Sequence, residues 1–217
     1  MVAPRPTAVV FDLGGVLVDW NPRYLYRPLF HGDEDAMERF LAEVCTPAWN
    51  DEQDRGRPFA EACALLTRAH PERRELIEAW PSRFDDTMAG PIPGTVEILA
   101  ELRARDVPLY ALSNWSAETF PWAQARFPFL EWFRGVVISG SLRVAKPDPA
   151  IYQHLLDSYR LRAEDTLFID DAPRNVDAAA ALGMQALRFV DAAALRVALV
   201  DLGLLDGETE SGADNQT

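Results

Sequence analysis

Cysteine is almost absent from this 217-residue chain, which carries only Cys45 and Cys63. Two cysteines cannot build a thiolate metal cage, and their spacing fits no metal-binding pattern. They read as small hydrophobic residues on helices, in a protein kept in a reducing compartment. Long apolar runs are missing as well. None approaches the ~20 residues that a membrane helix needs, and residues 1–7 hold neither the basic nor the apolar part of a secretory signal. A cytoplasmic location is the expectation. Positive charge is scarce: 21 Lys and Arg face 34 Asp and Glu, for a formal net charge of −13. Nucleic acids and anionic membranes both select basic surfaces, so neither is expected as a partner. An anionic substrate must then find a local positive site in a repelling field. His31, His70 and His154 lack the mutual spacing of a metal site or a triad.

What is present has a clear order. Ala8-Val9-Val10-Phe11 is a short apolar run that enters Asp12 and is followed by Leu13-Gly14-Gly15-Val16. Such a run, closed by glycines, predicts a strand at 7–12 buried on both faces. From 21 to 84 the periodicity is helical only. Asn21 caps a helix over 22–30 with Pro22 at its first position, and helices follow at 33–44, 57–70 and 71–84. Gly90-Pro91-Ile92-Pro93-Gly94 reads as a hinge. Beyond it, helices at 95–105, 117–126, 149–159, 173–182 and 191–202 alternate with strands at 107–112, 135–138, 166–169 and 186–189. That alternation predicts an α/β fold, a doubly wound parallel sheet with an inserted all-helical cap domain. The expected domains are a core at 1–19 and 91–205 and a cap at 20–90. A polar, acidic and disordered tail is expected at 206–217. Aromatic residues on a helix at 118–133 suit a dimer face and a core equally, so monomer and homodimer both stay open.

Chemistry collects at the predicted strand ends. Asp12 follows the first strand, Ser113-Asn114 the strand at 107–112, Lys146-Pro147 the segment after Ile138, and Asp170-Asp171 the strand at 166–169. Open parallel sheets place ligands outside the carboxyl ends of their strands, so the fold brings these four groups together. They suit displacement at phosphorus. Asp12 is the nucleophile; Asp12 and Asp171 offer hard oxygen ligands for Mg2+, with Asp170 as a further ligand or a supporting acceptor. The Gly14 carbonyl reaches the same ion without needing a side chain. The Ser113 hydroxyl and backbone N–H groups near Asn114 donate to phosphoryl oxygens, while Lys146 neutralises charge. Trp20 lies just past the nucleophile, where an aromatic face can stack on a small substrate. Tyr24, Arg23, Trp115 and the group Trp49, Asn50, Asp51 and Gln53 are further cleft candidates.

The four motifs resemble those of the haloacid dehalogenase superfamily of hydrolases. Within it, Asp-Leu-Gly-x-Val, Ser-Asn and the closing Asp-Asp are similar to small-sugar phosphatases of the glucose-1-phosphate type with a helical cap. The resemblance implies a Rossmann-like core and a magnesium-dependent phosphatase acting on a small phosphorylated substrate through an aspartyl-phosphate. It also implies Asp12 as nucleophile and metal ligand, phosphate binding by Ser113, Asn114 and Lys146, and magnesium binding by Asp171. One position departs from the pattern. Most phosphatases of this superfamily carry an aspartate, the general acid, where this chain has Gly14. A water or a cap residue takes over that role, or the leaving group is a good one, or the chain is not a phosphatase. The last case has a concrete form: a metal-independent 2-haloacid dehalogenase that uses Asp12 on carbon.

Overall fold

A computed structural model describes residues 4–207. Its strands are β1 (Ala8–Phe11), β2 (Val18–Trp20), β3 (Met88–Pro91), β4 (Leu109–Ser113), β5 (Gly135–Ile138), β6 (Thr166–Asp170) and β7 (Gln185–Arg188). Five of them form one parallel sheet in the order β5-β4-β1-β6-β7. β1 is central, flanked by β4 and β6, with Val10 opposite both Tyr110 and Phe168. Its side chains alternate between two cores: Val9 and Phe11 join one, Ala8 and Val10 the other. Burial on both faces is why the strand reads as an unbroken apolar run rather than an alternating one.

The helices are α1 (Pro22–Leu29), α2 (Glu34–Glu43), α3 (Pro47–Asp54), α4 (Phe59–Ala69), α5 (Arg74–Ser82), α6 (Pro93–Ala104), α7 (Phe120–Arg126), α8 (Ser139–Leu142), α9 (Pro149–Tyr159), α10 (Pro173–Ala181) and α11 (Ala192–Asp201). Asn21 caps α1 as expected, its Oδ1 accepting from the Arg23 N–H at 3.0 Å. The first five helices lie between β1 and β4 in sequence, and Tyr26, Phe40, Trp49, Phe59 and Trp80 pack their rings together there. The α/β, doubly wound parallel sheet is thus as expected, with a helical block inserted after its first strand.

Several local expectations are corrected. The segment 47–54 is helical, opened by Thr46, whose Oγ1 accepts from the Trp49 N–H, with Pro47 at N1. The segment 90–94 is not a bare hinge. Its first residues end β3, which pairs antiparallel with β2, and α6 already starts at Pro93. No single helix spans 118–133: α7 stops at Arg126 and a 3-10 turn follows from Pro128, which has no N–H to continue the α-helical ladder. Phe120, Phe127, Phe129 and Phe133 are buried in the core there, while Trp122 is exposed. Cys45 sits in the bend between α2 and α3 rather than on a helix; both cysteines are buried and free. At the expected tail, Asp206 pairs with Arg105 at 2.6 Å, and residues 208–217 lie outside the described residues. Among those described, no helix is long and apolar enough to cross a membrane.

Candidate active site

The carboxyl ends of β1, β4 and β6 open into one cavity of about 720 Å³. Asp12, Gly14, Ser113, Asn114, Lys146 and Asp171 line it from the sheet side; Asn50, Asp51, Asp54 and Trp80 line it from the helical block, and Trp20 from the end of β2. The strand-end groups picked from sequence therefore meet in space.

At the floor, Lys146 holds two carboxylates. The lysine is almost fully buried, and its Nζ lies 2.9 Å from Asp12 Oδ1 and 2.6 Å from Asp170 Oδ2. The third ammonium donor goes to the Leu112 carbonyl at 2.9 Å. Burial opposes the charged ammonium, yet Asp12 and Asp170 together keep the Lys146 pKa above its ordinary value. Burial pushes the Asp12 carboxyl up to about 7 against the pull of Lys146, with Asp170 adding to the rise. The Leu13 N–H also donates to Asp12 Oδ1 at 2.7 Å, so both donors hold the same oxygen.

Asn114 does not spend its side chain on the cavity. Its Nδ2 donates to the Lys146 carbonyl at 3.0 Å and its Oδ1 accepts from the Lys146 N–H at 2.8 Å. This two-point clamp ties the loop bearing Lys146 to the end of β4. Asn175 acts similarly on Asp170, donating to its two oxygens at 2.9 and 3.1 Å. Trp115 and Arg23 line the cavity as expected, the Arg23 guanidinium pairing there with Glu38, but Tyr24 turns its hydroxyl to Asp19. Trp49 and Gln53 are buried inside the helical block, leaving Asn50 and Asp51 at the cavity wall.

Oxygen atoms of Asp12, Asp170 and Asp171 lie within 4.8 Å of one another. Once all three are ionised, the carboxylates exceed the one ammonium among them by two negative charges, which is the charge of one divalent cation. An all-oxygen donor set suits Mg2+ rather than a softer metal. Both Asp170 oxygens already accept protein hydrogen bonds, including one from the Ala172 N–H at 2.9 Å. Gly15 makes the approach of Asp171 possible: its φ is +76°, and a Cβ there would lie 2.9 Å from Asp171 Oδ2.

A family model of haloacid dehalogenase-like hydrolases matches residues 6–183. The chain belongs to this family. Among similar proteins is the sesquiterpene phosphatase astK of Aspergillus oryzae, 29% identical, covering 86% of this chain and 91% of that protein. A phosphoglycolate phosphatase of Rhodospirillum rubrum is 30% identical, covering 82% and 77%. Among solved structures, the HAD family enzyme bt-2542 of Bacteroides thetaiotaomicron, in complex with magnesium and inorganic phosphate, superimposes with a TM-score of 0.65 at 21% identity. That likeness covers 86% of this chain and 95% of the other. At this level of identity dehalogenases share the architecture too, so it speaks to fold alone.

Among the cavity residues of this hydrolase that escape a reading of its sequence, two carry charge that bears on the site. Arg174, in the first turn of α10, adds a cation at the cavity wall. Asp54 ends α3, and burial, with Asp51 and Asp12 nearby, pushes its carboxyl from 3.8 up to about 7. The spacing of Asn50, Asp51 and Asp54 on one helical face is the signal that would have found it. The raised value has a consequence for stability. The folded protein binds this proton more tightly than the unfolded chain does, so stability falls as pH rises from about 4 to about 7 and then levels. Asp54→Asn removes that penalty: its Tm curve is flatter over this window and lies about 10 °C above wild type at pH 8. Thermal unfolding at pH 4 and pH 8 checks this; an unchanged slope would place the proton elsewhere.

Proposed function

We propose that this hydrolase is a magnesium-dependent phosphatase of a small phosphomonoester, such as a sugar phosphate, working through an aspartyl-phosphate on Asp12. The observation that carries this reading is the acidic floor, with two negative charges more than Lys146 can offset. Asp12, Asp171 and the Gly14 carbonyl hold the ion, and Asp170 keeps Lys146 and Asn175 in place. When bound, Mg2+ supplies charge neutralisation, allowing a carboxylate and a phosphate dianion to approach each other.

The protein groups divide the remaining work. Leu13 N–H and Lys146 fix Asp12 by Oδ1, which leaves Oδ2 as the attacking oxygen. Ser113 and the backbone N–H of Asn114 receive the phosphoryl oxygens at the end of β4, the next N–H, of Trp115, being spent on Ser139 Oγ, and Lys146 bears on the same charge. Trp20, stacked edge-on against Trp80 at 6.4 Å, offers an aromatic wall to the rest of the substrate. Residues 20–90 are the cap and 1–19 with 91–205 the core. The pairing of β2 with β3, where the chain leaves and re-enters the core, supports that division.

A panel of phosphate esters assayed with and without EDTA tests the reading. Chelation should lower the rate by about 10²-fold or more, and added Mg2+ should restore it. Full activity in chelated protein would remove the metal from the scheme. Gly14 favours one other reading, a 2-haloacid dehalogenase, because halide departs without a proton. Halide release from 2-chloropropionate, with no phosphate release from any ester, would select it.

A further inference from the structure

An alkoxide leaving from phosphorus needs a proton, and the position that normally supplies it in this family is Gly14. The cavity offers few replacements. Glu38 is paired with Arg23, Lys146 is committed to two carboxylates, and Asp171 belongs to the acidic floor. Cys45 is a buried thiol pushed up to about 12. Asp51 shares the cavity wall but is open to solvent, with nothing to hold a proton on it. Asp54 differs from all of these. It lines the same cavity as Asp12 and Gly14, and no cation pairs with it among the described residues. Asn50 Nδ2 donates to its Oδ2 at 3.0 Å, and the Ser116 N–H, just past the end of β4, also donates to its carboxyl. The end of α3 is anchored there: the Asp54 carbonyl accepts from Ser139 Oγ at 2.5 Å. Gly56, at φ +92°, comes so near Gly140 that a Cβ would lie 2.8 Å from its carbonyl oxygen. A carboxyl from the helical block is thus fixed beside the phosphate-receiving end of β4.

From this placement we infer that Asp54 is the general acid and base of the reaction, replacing the aspartate absent at Gly14. The inference rests on the phosphatase reading. In the first half-reaction Asp12 Oδ2 bonds to phosphorus as the ester P–O bond breaks. The leaving oxygen keeps the bonding pair and takes the Asp54 proton. In the second, the Asp54 carboxylate takes a proton from water as the water oxygen bonds to phosphorus. The P–O bond to Asp12 breaks, phosphate departs, and both aspartates regain their starting states. Burial, which holds the Asp54 pKa near neutrality, suits a group that must give and regain a proton.

The experiment follows the first turnover of Asp54→Asn with two esters. Alcohol release from an alkyl phosphate should slow by about 10²–10⁴-fold, whereas nitrophenolate release from 4-nitrophenyl phosphate should stay within about 10-fold of wild type. Nitrophenolate leaves without a proton, so only a proton donor separates the two. Equal losses on both esters, or no loss on either, would overturn the assignment. If wild type releases phosphate from neither ester, the phosphatase reading itself fails, which is a distinct outcome. Gly14→Asp in the Asp54→Asn background gives a second readout. A Cβ at Gly14 meets only Trp20 Cβ, at 4.0 Å, so a side chain fits. The added acid should recover alkyl-ester turnover by about 10-fold or more. Should Asp54→Asn not fold, first-turnover rates of the unmodified protein across aryl phosphates decide. A weak dependence on leaving-group basicity supports an internal acid, and a steep one overturns it.

Discussion

Asp12→Asn should abolish turnover, by roughly 10⁴–10⁶-fold, while leaving the protein folded. Asparagine keeps the shape of the aspartate but removes its charge. Its carbonyl oxygen can still face the two donors that now hold Oδ1, the Leu13 N–H and Lys146. The amide nitrogen then stands where the attacking oxygen belongs, and it has no lone pair suited to attack phosphorus. Stability should not suffer, because burial already disfavours the charged form of Asp12. Phosphate release and thermal unfolding, measured on the same preparation, separate the two effects. A variant with wild-type turnover would remove Asp12 from the nucleophile's role. A variant that fails to fold would show that Lys146 depends on the Asp12 charge more than the burial of the pair suggests.

The prominence of Asp12 in the sequence has a physical cause. A strand covered on both faces must be apolar throughout, so Val9, Val10 and Phe11 make the following carboxylate conspicuous. The same contrast exposes Ser113 at the end of β4 and Asp170 at the end of β6. Other features depend on partners distant in sequence. β2 and β3 are short, hold Gly90 and Pro91, and exist because two crossing segments pair with each other. In α3 a polar run surrounds Trp49, whose ring packs on Trp80 at 5.4 Å, so tertiary contact does what periodicity does elsewhere. With the helix unread, Asp54 could not be placed on the face that meets the cavity. Asn114 shows a different limit. Its residue type and position suit a phosphate donor, but its amide clamps the Lys146 backbone, a use visible only once the two loops are side by side.

Lys146→Met should damage stability and activity together. Methionine matches much of the lysine stem's volume, so packing is largely preserved and the loss is electrostatic. All three ammonium donors are spent, on Asp12, Asp170 and the Leu112 carbonyl. Removing them leaves two buried carboxylates facing each other without a counter-charge, a change that costs about 3–5 kcal/mol when such a pair is broken. The sign with pH follows from protonation. Lysine is charged in the folded protein below its raised pKa, so wild type keeps the contribution across the whole acidic and neutral range. In the variant the orphaned carboxylates bind protons more tightly than in the unfolded chain, so its stability falls as pH rises. The gap to wild type should therefore be small near pH 4 and full near pH 8, read as a shift in the urea midpoint at each pH. Turnover should fall by about 10³-fold or more, since the same charge supports the developing transition state. Adding Asp170→Asn relieves the like-charge contact and should recover part of the stability but none of the activity. Equal midpoints for Lys146→Met and wild type at pH 8 would mean that the lysine is not what holds the acidic floor together.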